Sequence, residues 1–461
     1  MQSRTLILDC ISKIEDEVKI CGWVQVVRDH GKILFLDVLD RSGIIQVVVS
    51  PDSVHLEGVK AHLRGEELQV QRYLEGGLHA IHPQDVVCIT GKVNKRPENL
   101  INKNIPTGEI EISAKEIEVL SKARELPFDM GGKDLDLQLP TLLDFRSLTL
   151  RHPKVKAIFK VQESLLEGFR KAAKDLGCTE IVVPTIVAGA TEGGAEVFRI
   201  DYFEHKAYLS QSPQLYKQML VPVYERVFAI AKAYRAEPSV TTRHLTESTQ
   251  MDVEIGFVEF EELLDILESV AIKMLKIAEE ECKEILSEFG VEKIAFGKIP
   301  RLTLREAQDV ILKEFGRDNR KEKDLTPQDE VDLCKWAKKS HGSDFVTVTH
   351  FPTAAKPFYT MPDPKDPEYS LSYDLLFRGV EIMSGSQRIN DYQQLVDSIK
   401  SRGMDPKSFE MYLQAFKFGM PPEGGFSFGL ERITMHVLNL ANVREASLFP
   451  RDMERVDTRL R

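Results

Sequence analysis

The chain has 461 residues, of which 42% are apolar and 29% are charged. That length exceeds what one ordinary core holds, so we expect at least two domains, and the apolar share excludes an intrinsically disordered chain. With 61 basic and 72 acidic residues the net charge is -11, so the overall field repels a polyanion such as RNA. Any nucleic-acid partner must therefore be attracted by local patches of positive charge.

The sequence lacks the marks of a secreted, membrane or zinc-binding protein. It contains no run of about 18 apolar residues, which a membrane helix would need, and acidic residues appear too early in the N-terminal segment for a signal peptide. The six cysteines show no C-x-x-C spacing, which disfavours a zinc site and a disulfide framework. We therefore expect a cytoplasmic protein. The cysteines are Cys10, Cys21, Cys88, Cys178, Cys282 and Cys334.

Short β-rich runs, separated by turn residues, lie between residue 18 and about residue 120. Their number and spacing predict a small five-stranded closed barrel of the OB type, which we assign to residues 1–120. Such barrels often bind oligonucleotides, but a barrel with a purely structural role fits the same pattern.

A stretch rich in Pro, Gly and Asp over residues 121–144 predicts a linker. Apolar residues then recur at helical spacing over residues 155–169, so we expect a second domain over residues 145–461. Within that domain, residues 258–345 are mostly charged and helical in pattern. We interpret them as a solvated helical layer or an insertion.

The segment "RAEPSVTTRHLTESTQMDVEIGF" begins at Arg235 and lies between two strands. Apolar and polar residues alternate before it and again in its last seven residues, where Asp252 and Glu254 lie opposite the apolar side chains. This pattern predicts an antiparallel hairpin with a long loop. Arg235 lies where the first strand leaves the sheet, and Arg243 and His244 lie in the loop. These potential cations suit a polyphosphate ligand. A solvated hairpin with unrelated surface charges is the alternative.

The segment "GGFSFGLERITMHVLNL" predicts a short strand followed by a helix that begins near Gly429. Arg432 falls in the first turn of that helix, where a cation opposes the helix dipole and costs stability unless an anion is nearby. The glycines are not followed by G-K-[ST], so the segment is not a P-loop.

The segment "YDLLFRGVEIMSGSQRIND" carries oxygen ligands that suit Mg²⁺, namely those of Asp374, Glu381 and Ser384. Strict strand alternation does not put Glu381 and Ser384 on one face, because they are three residues apart. Turns at Gly379 and Gly385 are the interpretation that would bring them together.

The segment "LSQSPQLYKQML" predicts a helix with Pro213 as its first residue. Gln214 and Lys217 then share one helix face, and an amide beside an ammonium suits a small zwitterionic or acidic ligand. An exposed helix with a surface lysine has the same pattern.

Together these segments resemble the class II aminoacyl-tRNA synthetases, and among them the aspartyl-tRNA synthetases. "GCTEIVVPTIV", which contains Pro184, is similar to the family's first motif, which forms the dimer interface. "YRAEPSVTTRHLTESTQMDVEIGF" is similar to the second motif and "GFSFGLERI" to the third. Their order, together with "ATEGGAE", "QSPQLYKQ" and "SGSQRIND", makes the resemblance specific.

The resemblance covers nearly the whole chain and implies an α+β fold. An N-terminal OB-fold β-barrel would bind the anticodon, and a class II catalytic domain with an antiparallel sheet flanked by helices would follow it. The implied activity is ATP-dependent activation of L-aspartate and its transfer to the aspartate tRNA by a homodimer. Some members of the family also charge the asparagine tRNA.

The resemblance implies a role for each candidate residue at the ATP site. Arg235 would hold the α-phosphate and Arg432 the γ-phosphate, with Glu381 as the third catalytic residue. Mg²⁺ would be held by Glu381 and Ser384, supported by Asp374. The full implied ATP set is Arg235, Arg243, His244, Leu245, Glu381, Gly429, Leu430, Glu431 and Arg432.

The resemblance also implies contacts to aspartate and to the anticodon. Arg388 would bind the side-chain carboxylate of aspartate, and Glu192, in a Gly-rich loop, would close over the ammonium group. The full implied aspartate set is Glu192, Gln214, Lys217, Arg235, Ser384 and Arg388. The implied anticodon contacts are Arg28, Phe35 and Gln46, where Phe35 as a residue of the barrel core is the alternative.

Other activities share parts of this pattern. An asparaginyl-tRNA synthetase would bind an amide, which leaves Lys217 and Arg388 without a full counter-charge. A relative that makes asparagine from aspartate and ammonia has no use for an anticodon barrel, and a non-catalytic paralogue would have lost the cations. Gln25 lies near the region that reads the third anticodon base, and it leaves the choice between the two tRNAs open.

Overall fold

The structure is a computed structural model of the chain. It describes residues 4–30, 33–50, 81–189, 196–238 and 241–460. Its contacts divide the chain into two compact units, Met1–Leu137 and Gln138–Arg461.

The strands of the first unit form the barrel, and those of the second unit form a large sheet and a small one. The strands are β1 (Glu17–Asp29), β2 (Leu34–Leu39), β3 (Ile44–Val49), β4 (Val86–Lys95), β5 (Ile110–Ser121), β6 (Thr179–Glu180), β7 (Ile186–Val187), β8 (Arg199–Tyr202), β9 (His205–Leu209), β10 (Arg226–Tyr234), β11 (Glu247–Gly256), β12 (Arg301–Thr303), β13 (Phe345–Thr349), β14 (Ser372–Phe377), β15 (Val380–Gln387) and β16 (Glu423–Gly429).

The α-helices that the structure describes lie in the second unit. They are α1 (Leu139–Asp144), α2 (Arg146–Thr149), α3 (Pro153–Asp175), α4 (Gln214–Met219), α5 (Val221–Tyr224), α6 (Phe260–Glu281), α7 (Lys283–Glu288), α8 (Leu304–Phe315), α9 (Pro327–His341), α10 (Tyr392–Ser401), α11 (Glu410–Lys417) and α12 (Leu430–Val437).

The first unit is a closed five-stranded barrel with the strand order β1-β2-β3-β5-β4. Alternate residues of β2, Leu34, Leu36 and Val38, are buried because side chains of a strand point to opposite faces in turn. The parallel pairing of β3 with β5 closes the barrel, and the other neighbours are antiparallel. The OB-type barrel expected from the sequence is confirmed.

The structure differs from the sequence analysis at one pair of cysteines. Cys21 and Cys88 lie directly opposite each other on β1 and β4 and are joined by a disulfide. Spacing rules do not detect this pair, because 67 residues separate the two cysteines and only strand pairing brings them together. Cys10, Cys178 and Cys282 are free and buried, as is Cys334.

The second unit is built on a sheet with the order β12-β13-β14-β15-β16-β11-β10-β6. The strands from β13 to β10 in that order are antiparallel neighbours, as expected. The sheet is nevertheless mixed, because β12 pairs in parallel with β13 and β6 in parallel with β10. A helical connection, such as α8 and α9 between β12 and β13, returns the chain in the same direction and so permits parallel pairing.

Helices α3 and α6 cover one face of this sheet and share its main apolar core, which includes Phe169, Phe228 and Phe426. Gly168 lies where the two helices cross, and a Cβ atom there would be 2.9 Å from the backbone oxygen of Met274. A glycine at this position therefore lets the two helices approach closely.

The helical region of residues 258–345 supplies one strand of the large sheet and helices that pack against it. It contributes the edge strand β12, and α8 and α9 bury Leu304, Ile311 and Leu333 against β13. In the part of the chain that the structure describes, no helix combines the length and the apolarity that crossing a membrane requires.

Candidate active site

The floor of the candidate site is the central strand β11, which lies between β10 and β16. Gln250, Asp252 and Glu254 share one face of β11, opposite the apolar residues that enter the core. Arg235 follows directly after the end of β10, where the chain leaves the sheet. The hairpin expected from the alternating pattern is confirmed.

A cavity of about 290 Å³ lies above this face of the sheet. It brings together Arg235, Arg388 and Arg432 with Glu381, although these residues come from three separate segments of the chain. The other predicted site residues that line the cavity are Gln214, Lys217, Arg243, His244, Leu245, Ser384, Gly429 and Glu431.

Of the predicted ATP, aspartate and metal residues that the structure describes, Leu430 and Asp374 are not in the lining. The side chain of Leu430, the first residue of α12, packs in the core and not in the cavity. Asp374 lies behind the lining, opposite Ser384 on the neighbouring strand. Glu192 lies outside the described residues.

Arg388 is buried at the inner end of the cavity, with 4% of its surface exposed. Its Nε donates to Glu254 Oε1 at 2.7 Å, and its Nη2 donates to Gln214 Oε1 at 3.2 Å and to the Gly425 carbonyl oxygen at 3.0 Å. The guanidinium is therefore already oriented by protein acceptors, and a ligand at this end of the cavity meets a fixed cation.

Lys217 is also buried, at 1% exposure, which excludes the surface-lysine interpretation of its helix. Its Nζ lies 2.8 Å from Asp252 Oδ1 and 3.1 Å from Glu254 Oε2. These two acids lie on the polar side of β11, and the sequence pattern gave them no predicted role. Their alternation with apolar residues was the signal that could have found them.

The pKa values of two buried acids at the inner end are shifted in opposite directions by their neighbours. Burial disfavours ionisation of Glu254, but Arg388 and Lys217 overcome that effect and hold its pKa at about 2. Burial, together with the neighbouring Glu254, raises the pKa of Glu423 well above its usual value. Within this pair the neighbouring cations favour the ionised form of Glu254, whereas burial and Glu254 favour the protonated form of Glu423.

The outer end of the cavity carries more exposed cations. The side chain of Arg235 is 47% exposed and its Nη1 lies 3.8 Å from Glu237 Oε1, a loose ion pair. Arg432, in the first turn of α12, donates from Nη1 to the Glu381 carbonyl oxygen at 3.1 Å. Because neither guanidinium is enclosed by protein acceptors, this end suits an anionic ligand such as a polyphosphate.

A β-bulge, rather than the turns considered from the sequence, brings Glu381 and Ser384 to the same face. Leu375 pairs with Met383 and Leu376 with Glu381, so Ile382 is an extra residue on β15. One extra residue reverses the alternation that would otherwise separate the two side chains. The interpretation that invoked Gly379 and Gly385 is therefore wrong.

The carboxylates and the hydroxyl at the bulge fit a magnesium ion. Ser384 lies directly opposite Asp374, and Glu381 lines the same cavity. Among the described residues no group of three or more His, Cys, Asp or Glu side chains is arranged to hold a metal ion by itself. That donor set agrees with Mg²⁺, which usually takes one or two carboxylates and completes its shell with water and substrate phosphates.

Two further charged residues at this end were missed by the sequence analysis, since nothing in the local pattern marks them. Lys356 Nζ lies 3.3 Å from Asp374 Oδ2, and Glu330 Oε2 lies 3.3 Å from Arg243 Nη1. Burial, together with Glu381, raises the pKa of Glu330 to about 7.

His436 makes the stability of this unit depend on pH. Burial, with Arg243 and Arg432 nearby, lowers the pKa of His436 to about 4. The unfolded chain, with an ordinary histidine pKa of about 6.5, binds a proton more readily than the folded chain between these values, so stability falls as the pH falls. Between pH 7 and pH 5 we expect the wild type to lose about 2 kcal/mol more unfolding free energy than His436→Gln. Urea unfolding at both pH values measures this, and equal losses would contradict it.

The barrel presents the predicted anticodon residues on its outer side. Phe35 is partly exposed, between the buried Leu34 and Leu36, so it does not belong to the barrel core. Arg28 donates to both carboxylate oxygens of Asp37 at 2.7 Å and to Gln46 Oε1 at 3.2 Å.

The chain belongs to the class II tRNA synthetases of the D, K and N group, whose family model matches residues 138–453. A model of the OB-fold nucleic acid binding domain of the tRNA anticodon type matches residues 18–120. The family membership expected from the sequence motifs is confirmed.

Similar proteins fall within this family. The aspartate-tRNA(Asp/Asn) ligase of Thermus thermophilus is 40% identical over 456 residues, which cover 98% of this chain and 99% of that protein. The aspartate-tRNA(Asp) ligase of Pyrococcus horikoshii is 39% identical, with 95% of each chain covered. The solved asparaginyl-tRNA synthetase from Pyrococcus horikoshii, complexed with asparaginyl-adenylate, superposes with a TM-score of 0.86 at 30% identity, over 99% of this chain and 100% of that one.

Proposed function

We propose that this chain is an aspartate-tRNA ligase, which activates L-aspartate with ATP and transfers it to the 3′ end of the aspartate tRNA. The observation that carries the proposal is the convergence of Arg235, Arg388 and Arg432 with Glu381 in one cavity. The buried Lys217 at the inner end of the cavity and the names of the similar ligases support it.

In the first step the α-carboxylate of aspartate attacks the α-phosphorus of ATP. The carboxylate is already ionised, so no general base is needed. A bond forms between the carboxylate oxygen and the α-phosphorus, while the bond from that phosphorus to the bridging oxygen of the β-phosphate breaks and pyrophosphate leaves. Arg235 offsets negative charge on the α-phosphate, and Arg243 and Arg432 hold the terminal phosphates.

In the second step the terminal ribose hydroxyl of the tRNA attacks the carbonyl carbon of the aspartyl-adenylate. The new ester bond forms as the bond from the carbonyl to the phosphate oxygen breaks, and AMP leaves with a phosphate oxygen as acceptor of the hydroxyl proton.

Glu381 and Ser384, with Asp374 behind them, would hold Mg²⁺. That ion would supply positive charge beside the phosphate oxygens.

The choice of aspartate over asparagine follows from charge at the inner end. Lys217 and Arg388 are both buried, with Asp252 and Glu254 as their acidic partners, and a ligand carboxylate can accept charge-assisted hydrogen bonds from the guanidinium. An amide brings no charge and binds more weakly there. Asparagine is the second candidate substrate, since an asparaginyl-tRNA synthetase shares the fold closely.

Two further surfaces suit macromolecular partners. On the barrel, the partly exposed ring of Phe35, with Arg28 and Gln46, suits stacking on and hydrogen bonding to anticodon bases. On the second unit, Val182 is 98% exposed beside the exposed Pro184, and this apolar edge suits a second copy of the chain in a homodimer. We place the enzyme in the cytoplasm, where tRNA is charged.

Exchange of label between pyrophosphate and ATP tests the activation step. We expect exchange that depends on aspartate and is at least about 100-fold slower with asparagine, because an amide offers the guanidinium one neutral acceptor where a carboxylate offers two charged ones. Exchange with asparagine alone would overturn the proposal. Charging of purified aspartate and asparagine tRNAs then tells whether one or both are substrates. Formation of asparagine from aspartate and ammonia in the absence of tRNA would instead identify the chain as an asparagine-forming relative.

A further inference from the structure

Helix α9 reaches the outer end of the cavity from the helical region of residues 258–345. Thr326 caps the helix through a capping box with Asp329, which fixes where the helix begins. Glu330 follows in the first turn, and only 14% of its side chain is exposed. The helix therefore holds the largely buried carboxylate of Glu330 in a defined position beside the candidate ATP site.

Glu330 contacts two parts of that site. Its Oε2 accepts a hydrogen bond from Arg243 Nη1 at 3.3 Å, and its carboxylate also faces the backbone N–H of Glu381. Arg243 and Glu381 line the cavity, whereas Glu330 does not. Any effect of Glu330 on a ligand in the cavity must therefore act through these neighbours.

Arg243 belongs to the loop between β10 and β11. The backbone of this loop is tied down at Thr242, whose carbonyl oxygen accepts from Val443 N at 2.9 Å, and at Thr246, whose N–H donates to the Arg451 carbonyl oxygen at 2.9 Å. These bonds fix the backbone, but the long side chain of Arg243 can still adopt many rotamers. The ion pair with the carboxylate of Glu330 reduces the number of these rotamers.

We propose that Glu330 is a positioning residue for ATP, which holds the Arg243 guanidinium at the triphosphate end of the cavity before the nucleotide arrives. The inference rests on the proposed function, and it gives the helical region of residues 258–345 a part in substrate binding. An arginine that is already oriented loses less rotamer entropy when phosphate binds, so Glu330 strengthens ATP binding. Glu330 itself touches neither substrate.

If Glu330 instead competed with ATP for Arg243, its removal would change the ATP affinity in the opposite direction. The direction of that change therefore tests the inference. A carboxylate that competes with phosphate for Arg243 would weaken ATP binding, and its removal would then tighten binding. In the structure the ion pair leaves part of the Arg243 side chain, 29% of it, exposed toward a cavity that it lines. Phosphate can therefore be bound without breaking the contact to Glu330.

The experiment compares Glu330→Ala and the isosteric Glu330→Gln with wild type in aspartate-dependent pyrophosphate exchange at pH 8. We expect KM for ATP to rise about tenfold in Glu330→Ala, while KM for aspartate stays within about twofold. Asp332→Ala is the matched control, because Asp332 lies on the same helix, pairs with Arg317 at 2.6 Å and is not in the lining. We expect this control to leave KM for ATP unchanged.

A double-mutant cycle separates positioning from a general loss of structure. We expect Arg243→Met to weaken ATP binding when Glu330 is present. In the Glu330→Ala background we expect the same substitution to weaken ATP binding about tenfold less. Direct calorimetric binding of ATP without metal is the second readout. Binding of AMP should be unaffected in the Glu330 variants, because AMP lacks the two terminal phosphates.

The outcomes separate this inference from the proposed function. Tighter ATP binding, an unchanged KM for ATP, or additive effects of the two substitutions would each overturn the role of Glu330. A wild type that shows no aspartate-dependent exchange would overturn the proposed function, and the calorimetric cycle would still decide the role of Glu330. If Glu330→Ala does not fold, as judged by its thermal melt, Glu330→Gln carries the comparison.

Discussion

Replacing Arg235 with Gln is expected to slow aspartate-dependent pyrophosphate exchange by a factor of about 10³. The guanidinium lines the cavity and is paired only loosely with Glu237, at 3.8 Å, so it is available to a phosphate group. In the proposed reaction it offsets the charge that develops on the α-phosphate, and an uncharged amide of similar reach cannot do so. Initial rates of exchange at saturating ATP and aspartate measure the effect.

The same substitution is expected to leave stability almost unchanged. The side chain of Arg235 is 47% exposed, and exposed ion pairs contribute at most about 1 kcal/mol. Lys232→Gln is the matched control on the strand that leads into Arg235, since Lys232 pairs with Glu247 at 3.4 Å and does not line the cavity. A large drop in the melting temperature of Arg235→Gln, or exchange as fast as in Lys232→Gln, would contradict the assignment.

Replacing Arg388 with Gln is expected to remove both activity and much of the stability. The substitution leaves Glu254 buried without its principal counter-charge, and breaking a buried ion pair from one side costs about 3 to 5 kcal/mol. Exchange should fall below detection, because the proposed contact to the side-chain carboxylate of aspartate is lost as well. Urea unfolding and pyrophosphate exchange measure the two effects separately.

The double variant Arg388→Gln with Glu254→Gln separates those two effects. With both charges removed, the two amides can hydrogen-bond to each other, and most of the lost unfolding free energy should return. Activity should not return, since no cation then faces the ligand from this position. Recovery of exchange in the double variant would show that Arg388 acts only by neutralising Glu254.

Local patterns in the sequence predicted much of this site. Strand alternation around residues 226–257 predicted the hairpin, and the arginine in the first turn of α12 indicated an anion there. Both are properties of a few consecutive residues. The same alternation places Asp252 and Glu254 on the polar face of the strand. The sequence pattern of a buried acid on a strand is the same as that of a solvated one, so it does not show that these two acids are buried.

The bulge at Ile382 and the disulfide of Cys21 depend on a neighbouring strand. A bulge is defined by two residues that oppose one, so the register of β14 against β15 must be known before Glu381 and Ser384 can be placed on one face. In the barrel, Cys88 is opposite Cys21 only because β1 pairs with β4. Neither register follows from the residues of one strand alone.

The sequence by itself determined the composition of the two units, the periodicity of their strands and helices, and the order of motifs that identifies the family. Those features depend on neighbours a few residues apart. The tertiary structure alone decided which charges meet, since Arg388 and Glu254 are 134 residues apart and Arg243 and Glu330 are 87 residues apart. Whether a buried charge is stable depends on its partner in space, and packing of distant segments chooses that partner.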